Sequence, residues 1–262
     1  MICSCCQEQP QGSDVIDTAR LAGGDGIVGN AKVAMKLGAH LWQGLHRVLS
    51  PFGELCCDIL FERALGDPLP IAKTDLDVVL RLATPDDIGE ISRLYSGDSW
   101  LFLGGSSTAE GSEKAGHDAY LDRLRRGELC FLAIGEGRIA HVNWICRTWG
   151  DALPGHPIRL EAGEVYTTDA LTTAGFRGKG LHAVVLRAML EDAQARGDRH
   201  AFTLARLDRT DSHKGLLQLG WRECGRAIYF LRRGSERPRF LWRRGNLVPL
   251  FRPRDAAGTS SR

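Results

Sequence analysis

The segment 164–182, EVYTTDALTTAGFRGKGLH, constrains the fold more than any other part of the chain. Its first ten residues are rich in β-branched side chains, and the pattern predicts a strand over 164–173. Glycines follow, and then Leu181, Val184, Val185, Ala188, Met189 and Ala193 recur at helical spacing, which predicts an amphipathic helix over 180–196. A strand that turns directly into a helix presents the unpaired first-turn N–H groups and the positive end of the macrodipole at the turn. Gly178 and Gly180 let backbone approach an anion with no Cβ between, while Arg177 and Lys179 add charge. Each contribution is about 1 kcal/mol, and several converging ones suit a pyrophosphate. Two other phosphate loops are excluded. The dinucleotide fingerprint requires a third glycine where Ala183 stands, and no G-x-x-x-x-G-K-S/T is present.

The rest of the chain divides around this unit. Residues 1–30 show no apolar period and are expected to be poorly ordered. Over 31–65, Leu41, Leu45, Leu49, Phe52, Cys56, Ile59 and Leu60 fall at three- and four-residue steps, which predicts helix with a restart at Ser50-Pro51. The breaker Gly66-Asp67-Pro68-Leu69-Pro70 is read as the domain boundary, giving a helical extension and linker over 31–75. Beyond it, strands are expected at 76–82, 128–134, 138–147, 164–173, 200–207 and 226–231. Helices are expected from Thr84-Pro85 to Tyr95, at 120–126, 180–196 and 212–219. Gly135-Glu136-Gly137 reads as a hairpin turn. The alternation predicts a mixed α/β sheet over 76–232.

With 262 residues, 43% of them apolar and 25% charged, the chain has the composition of a globular protein. No apolar run is long enough to span a bilayer, and the N-terminus lacks a secretory pattern, so a reducing cytoplasm and free thiols are expected. Cys3-x-Cys5-Cys6 has no partner set for zinc, and no metal is expected. The net charge of +2 predicts no polyanionic partner, but 231–254 concentrates eight arginines against one acid, among Phe240, Leu241 and Trp242. This basic aromatic tail (233–262) suits either a solvated fold over the sheet edge or peripheral contact with an anionic membrane. The latter is preferred over nucleic acid because 31–65 offers a second apolar surface.

Arg177-Gly178-Lys179-Gly180-Leu181-His182 resembles the Arg/Gln-x-x-Gly-x-Gly/Ala signature of the GCN5-related N-acetyltransferase (GNAT) superfamily, with His182 in place of the final small residue. Leu80–Ile88 resembles that family's first strand and helix start, and Leu217-Gln218-Leu219-Gly220-Trp221 its closing motif. The resemblance covers about 76–232. It implies a GNAT-like, mostly antiparallel sheet flanked by helices, whose fourth and fifth strands splay to admit the pantetheine arm of acetyl-CoA or another acyl-CoA. Backbone at Leu171, Thr172 and Thr173 would pair with the pantetheine amides. N–H groups from Arg177, Gly178, Lys179, Gly180, Leu181 and His182 would take the pyrophosphate. An amine of a small molecule or amino sugar would then attack the thioester directly. A longer acyl-CoA, an acyl carrier protein donor, or a non-catalytic acyl-CoA sensor are the alternatives.

The attacking amine must be neutral, so a base or water relay is needed. The resemblance makes Glu164, opening the fourth strand, the first candidate. Asp169 is the second: it faces the other way along an ideal strand unless a bulge intervenes. The tyrosine that many members use as acid is replaced by Leu216, leaving Ser212 and His213 as neighbours, with Ser212 also a natural N-cap. His141 and Asn143 share one face of the third strand and are candidates for acceptor contact, while Trp144 points to the other.

Overall fold

The structure, a computed structural model, describes residues 48–97, 109–153, 156–207, 209–235 and 238–247. The chain divides into two compact units, Met1–Val48 and Leu49–Arg262, and every described element lies in the second. The expectations for 1–30 and for helix over 31–47 fall outside the described residues.

Among the described residues there are ten strands: β1 Gly53–Ala64, β2 Val79–Leu82, β3 Leu129–Gly135, β4 Arg138–Cys146, β5 Trp149–Leu153, β6 His156–Arg159, β7 Glu164–Thr172, β8 His200–Arg206, β9 Arg222–Arg232 and β10 Arg239–Gly245. The α-helices given by the described residues are α1 Ile88–Gly97, α2 Ala109–Arg125, α3 Leu181–Ala195 and α4 Thr210–Gln218. Eight strands form one sheet in the order β10-β9-β1-β8-β7-β4-β3-β2, and β5–β6 form a separate hairpin. All neighbours in the large sheet are antiparallel except β7 and β8. The expected mixed, mostly antiparallel sheet with flanking helices is therefore the observed fold.

Each face of the sheet has its own core. Along β4, Val142 and Trp144 pack with Ile88, Ile91 and Tyr95 of α1 and with Tyr120 of α2. Ile145 turns the other way, toward Leu186, Met189 and Leu190 of α3 and toward Leu216 of α4. This period-two alternation lets one strand serve two helical layers. The β3–β4 turn forms at Glu136-Gly137, both at positive φ (52° and 73°), as a two-residue hairpin requires.

The N-terminal reading needs correction. Residues 53–64 form a twelve-residue strand, not a helix, inserted between β8 and β9. Leu55, Cys56, Cys57, Ile59, Leu60 and Phe61 are all buried. A strand buried on both faces shows a nearly continuous apolar run, and such a run also contains three- and four-residue steps. The breaker at 66–70 is accordingly a loop inside one unit, not a domain boundary. Arg63, on β1, is 4% exposed and donates to the carbonyls of Leu219 and Pro68, tying the closing Leu-Gly-Trp turn to the central strand.

The tail is likewise partly sheet. β10 pairs with β9 and carries Phe240 against Tyr229, ring centroids 5.8 Å apart. Leu241 and Trp242 remain exposed at 61% and 43%, beside Arg243 and Arg244. No described helix is long and apolar enough to cross a membrane.

Candidate functional site

The parallel pairing of β7 with β8 begins at Glu164 opposite His200 and ends at Thr167 opposite Thr203. Both strands continue, but as partners they part. At the parting point the Thr203 hydroxyl donates to the Thr167 carbonyl at 2.9 Å, so a side chain makes the last tie. On its other edge β7 pairs with β4 as Thr168 opposite Trp144 and then Leu171 opposite Val142. Asp169 and Ala170 thus stand against Asn143 alone, a bulge that begins two residues past the last β7–β8 pair. Asp169 sits at φ 54°, a left-handed conformation few side chains adopt.

Beyond the bulge the chain turns through Ala174–Phe176, anchored by the buried Phe176 ring and by Arg177 Nε donating to the Thr172 carbonyl at 3.0 Å. Gly178 and Gly180 both have positive φ (75° and 76°), and Gly180 is the N-cap of α3. Arg177, Gly178, Lys179 and Gly180 are exposed, and no acid lies in the first turn of α3. The stretch preceding β2 straps this loop. Thr74 Oγ1 donates to the Lys179 carbonyl at 2.7 Å, and a Cβ on Gly180 would lie 2.6 Å from the Lys73 carbonyl oxygen. The Lys179 carbonyl is thereby occupied, and Arg177 and Lys179 are both exposed on this loop.

Below the loop lies a polar group on the α3 face of the sheet. His141 is 1% exposed, with Nδ1 at 2.7 Å from the Thr172 hydroxyl. Its ring centroid is 5.5 Å from that of His182, in the first turn of α3. Asn143, two residues along the same strand face, is also 1% exposed. His141 Nε2, Asn143 Oδ1 and His182 Nδ1 are buried without a hydrogen-bond partner. Burial pushes the His182 pKa down to about 4 and holds His141 well below the ordinary histidine value, with His182 adding a smaller repulsion to the latter. Both rings are neutral at pH 7. Orphaned buried polar atoms of this kind are rare and call for a ligand or water.

The opposite face carries an ion network. Arg123 of α2 binds Asp169 Oδ2 at 2.5 Å and Glu128 Oε2 at 2.7 Å, and Arg126 also reaches Glu128 at 3.0 Å. The Arg123 guanidinium lies 4.2 Å from the Trp144 ring centroid, and Tyr95 donates its hydroxyl to the Asp169 carbonyl.

The candidate residues from sequence separate into groups. Leu171, Thr172, Thr173 and Arg177 through His182 form one continuous path from the β7 opening to the start of α3. Asp169 stands at the bulge itself, with its carboxylate paired to Arg123. Glu164 lies at the far, paired end of β7, about 13 Å of strand from Thr168, where its carboxylate accepts the Glu161 N–H at 2.8 Å. The structure does not bring Glu164 to the opening. Ser212 is not the N-cap of α4; that position is Arg209, and Ser212 lies in the first turn. His213 Nε2 donates to the Arg206 carbonyl at 2.8 Å, and Leu216 is buried in the α3-side core. His141 and Asn143, expected at an acceptor groove, are instead buried beneath α3. Arg123, Tyr95, Thr203 and the Lys73-Thr74 strap had no sequence signal: each acts through a contact distant in the chain. Among the described residues no group of three or more His, Cys, Asp or Glu could hold a metal ion.

No protein-family model and no curated protein sequence matches this chain. Solved structures similar to it include a GCN5-related N-acetyltransferase from Sphaerobacter thermophilus, at 16% identity and a TM-score of 0.48 over 72% of this chain and 56% of that one. A GNAT-family acetyltransferase from Colwellia psychrerythraea matches at 12% identity and 0.46, over 69% and 57%. A predicted acetyltransferase from Clostridium acetobutylicum, solved with acetyl-CoA, matches at 16% and 0.42, over 56% and 90%. This chain thus spans a little over half the length of the first two.

Proposed function

We propose that this chain is an acyl-CoA-dependent N-acyltransferase that transfers an acetyl group to a primary amine of a small molecule or amino sugar. The observation that carries the reading is the β7–β8 opening leading, without interruption, into the exposed glycine loop at the start of α3. An opening between strands offers unpaired backbone groups to an extended amide-bearing chain, as strand addition does. A helix start with two glycines and two cations offers a pyrophosphate site at the end of that chain. The residues present fit such a donor. Gly178 has open space where a Cβ would stand, and the orphaned atoms of His141, Asn143 and His182 lie beneath the path between loop and bulge.

In this reading, Arg177, Gly178, Lys179, Gly180, Leu181 and His182 bind the pyrophosphate, and the backbone of Leu171–Thr173 holds the pantetheine arm. His141 and Asn143 serve the donor side, because they are buried with His182. The amine nitrogen attacks the thioester carbon, the C–S bond breaks, and coenzyme A leaves as thiol. The ammonium proton passes to a base or through water. Asp169, at the bulge, is the better placed of the two carboxylates considered for that role. Glu164 is too far along the strand, and Ser212 remains a candidate only from its place at the start of α4. Thiol release from acetyl-CoA across a panel of amines tests the reading. Turnover with at least one amine is expected; donor binding with no turnover by any amine would favour a sensor, and turnover only with longer donors would change the acyl group.

A second, separate reading concerns β10. Leu241 and Trp242 are exposed beside Arg239, Arg243 and Arg244, a combination suited to an anionic membrane surface. Flotation with anionic vesicles at low salt is expected to carry the protein upward, and absence from vesicles at both low and high salt would remove this contact.

A further inference from the structure

We propose that Arg123 is a positioning residue that keeps the donor opening in shape by holding Asp169, an inference that rests on the acyl-CoA reading of that opening. The bulge depends on one non-glycine residue at φ 54°. Such a conformation persists only where surrounding contacts over-determine it. Two contacts do so, one at each end of Asp169: the Tyr95 hydroxyl on its carbonyl and the Arg123 guanidinium on its carboxylate.

Arg123 is itself immobilised. Its Nε is spent on Glu128, which is 9% exposed and shared with Arg126, and its Cζ lies over the Trp144 ring. Trp144 stacks on Tyr120, and Tyr120 on Tyr95, with centroids 5.8 and 5.0 Å apart. Arg123 and Arg126 balance Glu128 and Asp169 in charge, so the network needs no further ion. The fork of a guanidinium meets two carboxylates at once, which an ammonium cannot do with the same geometry. Without it, the Asp169 carboxylate loses its partner and the bulge loses one of its two restraints. β7 cannot simply close up, because a one-residue slip would turn Leu171 from the core to the opposite face. The expected consequence is a loosened segment 168–172, at the edge that receives the donor.

The test combines acetyl-CoA calorimetry with amide hydrogen exchange on the full chain. Arg123→Met is expected to weaken acetyl-CoA by roughly tenfold and to speed exchange at 168–172 by a similar factor, leaving the β3–β4 hairpin unchanged. Arg123→Lys is expected to fall between. Asp169→Gly takes a positive φ without a carboxylate, so it should bind within about threefold of wild type, and adding Arg123→Met to it should change little further. Wild-type affinity and exchange in Arg123→Met would overturn the proposal, as would an undiminished Arg123→Met loss in the Asp169→Gly background. If the wild type binds no acyl-CoA, the functional reading falls, and the exchange measurement alone still decides whether Arg123 holds the bulge.

Discussion

Gly178 and Gly180 look equivalent in sequence, yet the structure distinguishes them. Both have positive φ, so alanine at either position carries the left-handed penalty of about 1–2 kcal/mol. At Gly178 a Cβ meets nothing within 4 Å, and that penalty is the whole expected cost. At Gly180 the Cβ would lie 2.6 Å from the Lys73 carbonyl oxygen, a backbone atom that moves only if the strap moves. Forced overpacking adds about 1–3 kcal/mol. Gly180→Ala should therefore cost about 2–5 kcal/mol and Gly178→Ala about 1–2 kcal/mol. With a urea dependence of about 2–3 kcal/mol per molar, midpoints should fall by about 1 M and about 0.5 M respectively. Thr74→Val, which removes the hydroxyl on the Lys179 carbonyl, should cost about 1 kcal/mol alone. It should add less than that to Gly180→Ala, because the strap is already displaced. Equal midpoints for the two alanine variants would refute the packing of 73–74 on the loop.

Three further outcomes follow from the same structure. His182 and His141 bind protons less readily folded than unfolded, so stability is full at neutral pH and is lost as pH falls below about 6.5. For His182 that loss is about 2 kcal/mol between pH 7 and pH 5 and ends near its folded value of about 4. His182→Gln should flatten the profile, and an unchanged profile would contradict the burial. Arg63→Ala strips a donor from the Leu219 and Pro68 carbonyls and should destabilise by about 2–4 kcal/mol in urea unfolding, whereas a surface arginine would cost under about 0.5 kcal/mol. Leu216→Tyr, which places a phenol on the core face of α4, should cost about 1–3 kcal/mol and not raise thiol release, because that side chain faces the core.

Much of this fold could be read from local pattern. The β3–β4 hairpin, the β7-turn-α3 unit and the β8-α4-β9 order each have one dominant period bounded by glycine. Segments that owe their state to the sheet could not be read in this way. β1 is buried on both sides, so Cys56, Ile59 and Leu60 satisfied a helical spacing that the neighbours β8 and β9 override. β10 looked like a tail because Arg243 and Arg244 are exposed and only Phe240 reaches the core cluster. The site divides along the same line. Backbone positions 171–173 and 177–182 followed from glycine placement, whereas the state of Asp169 depends on Tyr95 and Arg123, which are 74 and 46 residues away. The sequence marks Glu164 as a strand-end carboxylate, and only the extent of β7–β8 pairing shows that it stands at the closed end.

Together the β7–β8 opening and the glycine loop are expected to hold an acyl-coenzyme A. Isothermal calorimetry of the full chain with acetyl-CoA tests it directly. Saturable binding at one site per chain is expected, weakened by Arg177→Ala and more strongly by Gly180→Ala. Absence of binding by acetyl-CoA and by every longer acyl-CoA would contradict it.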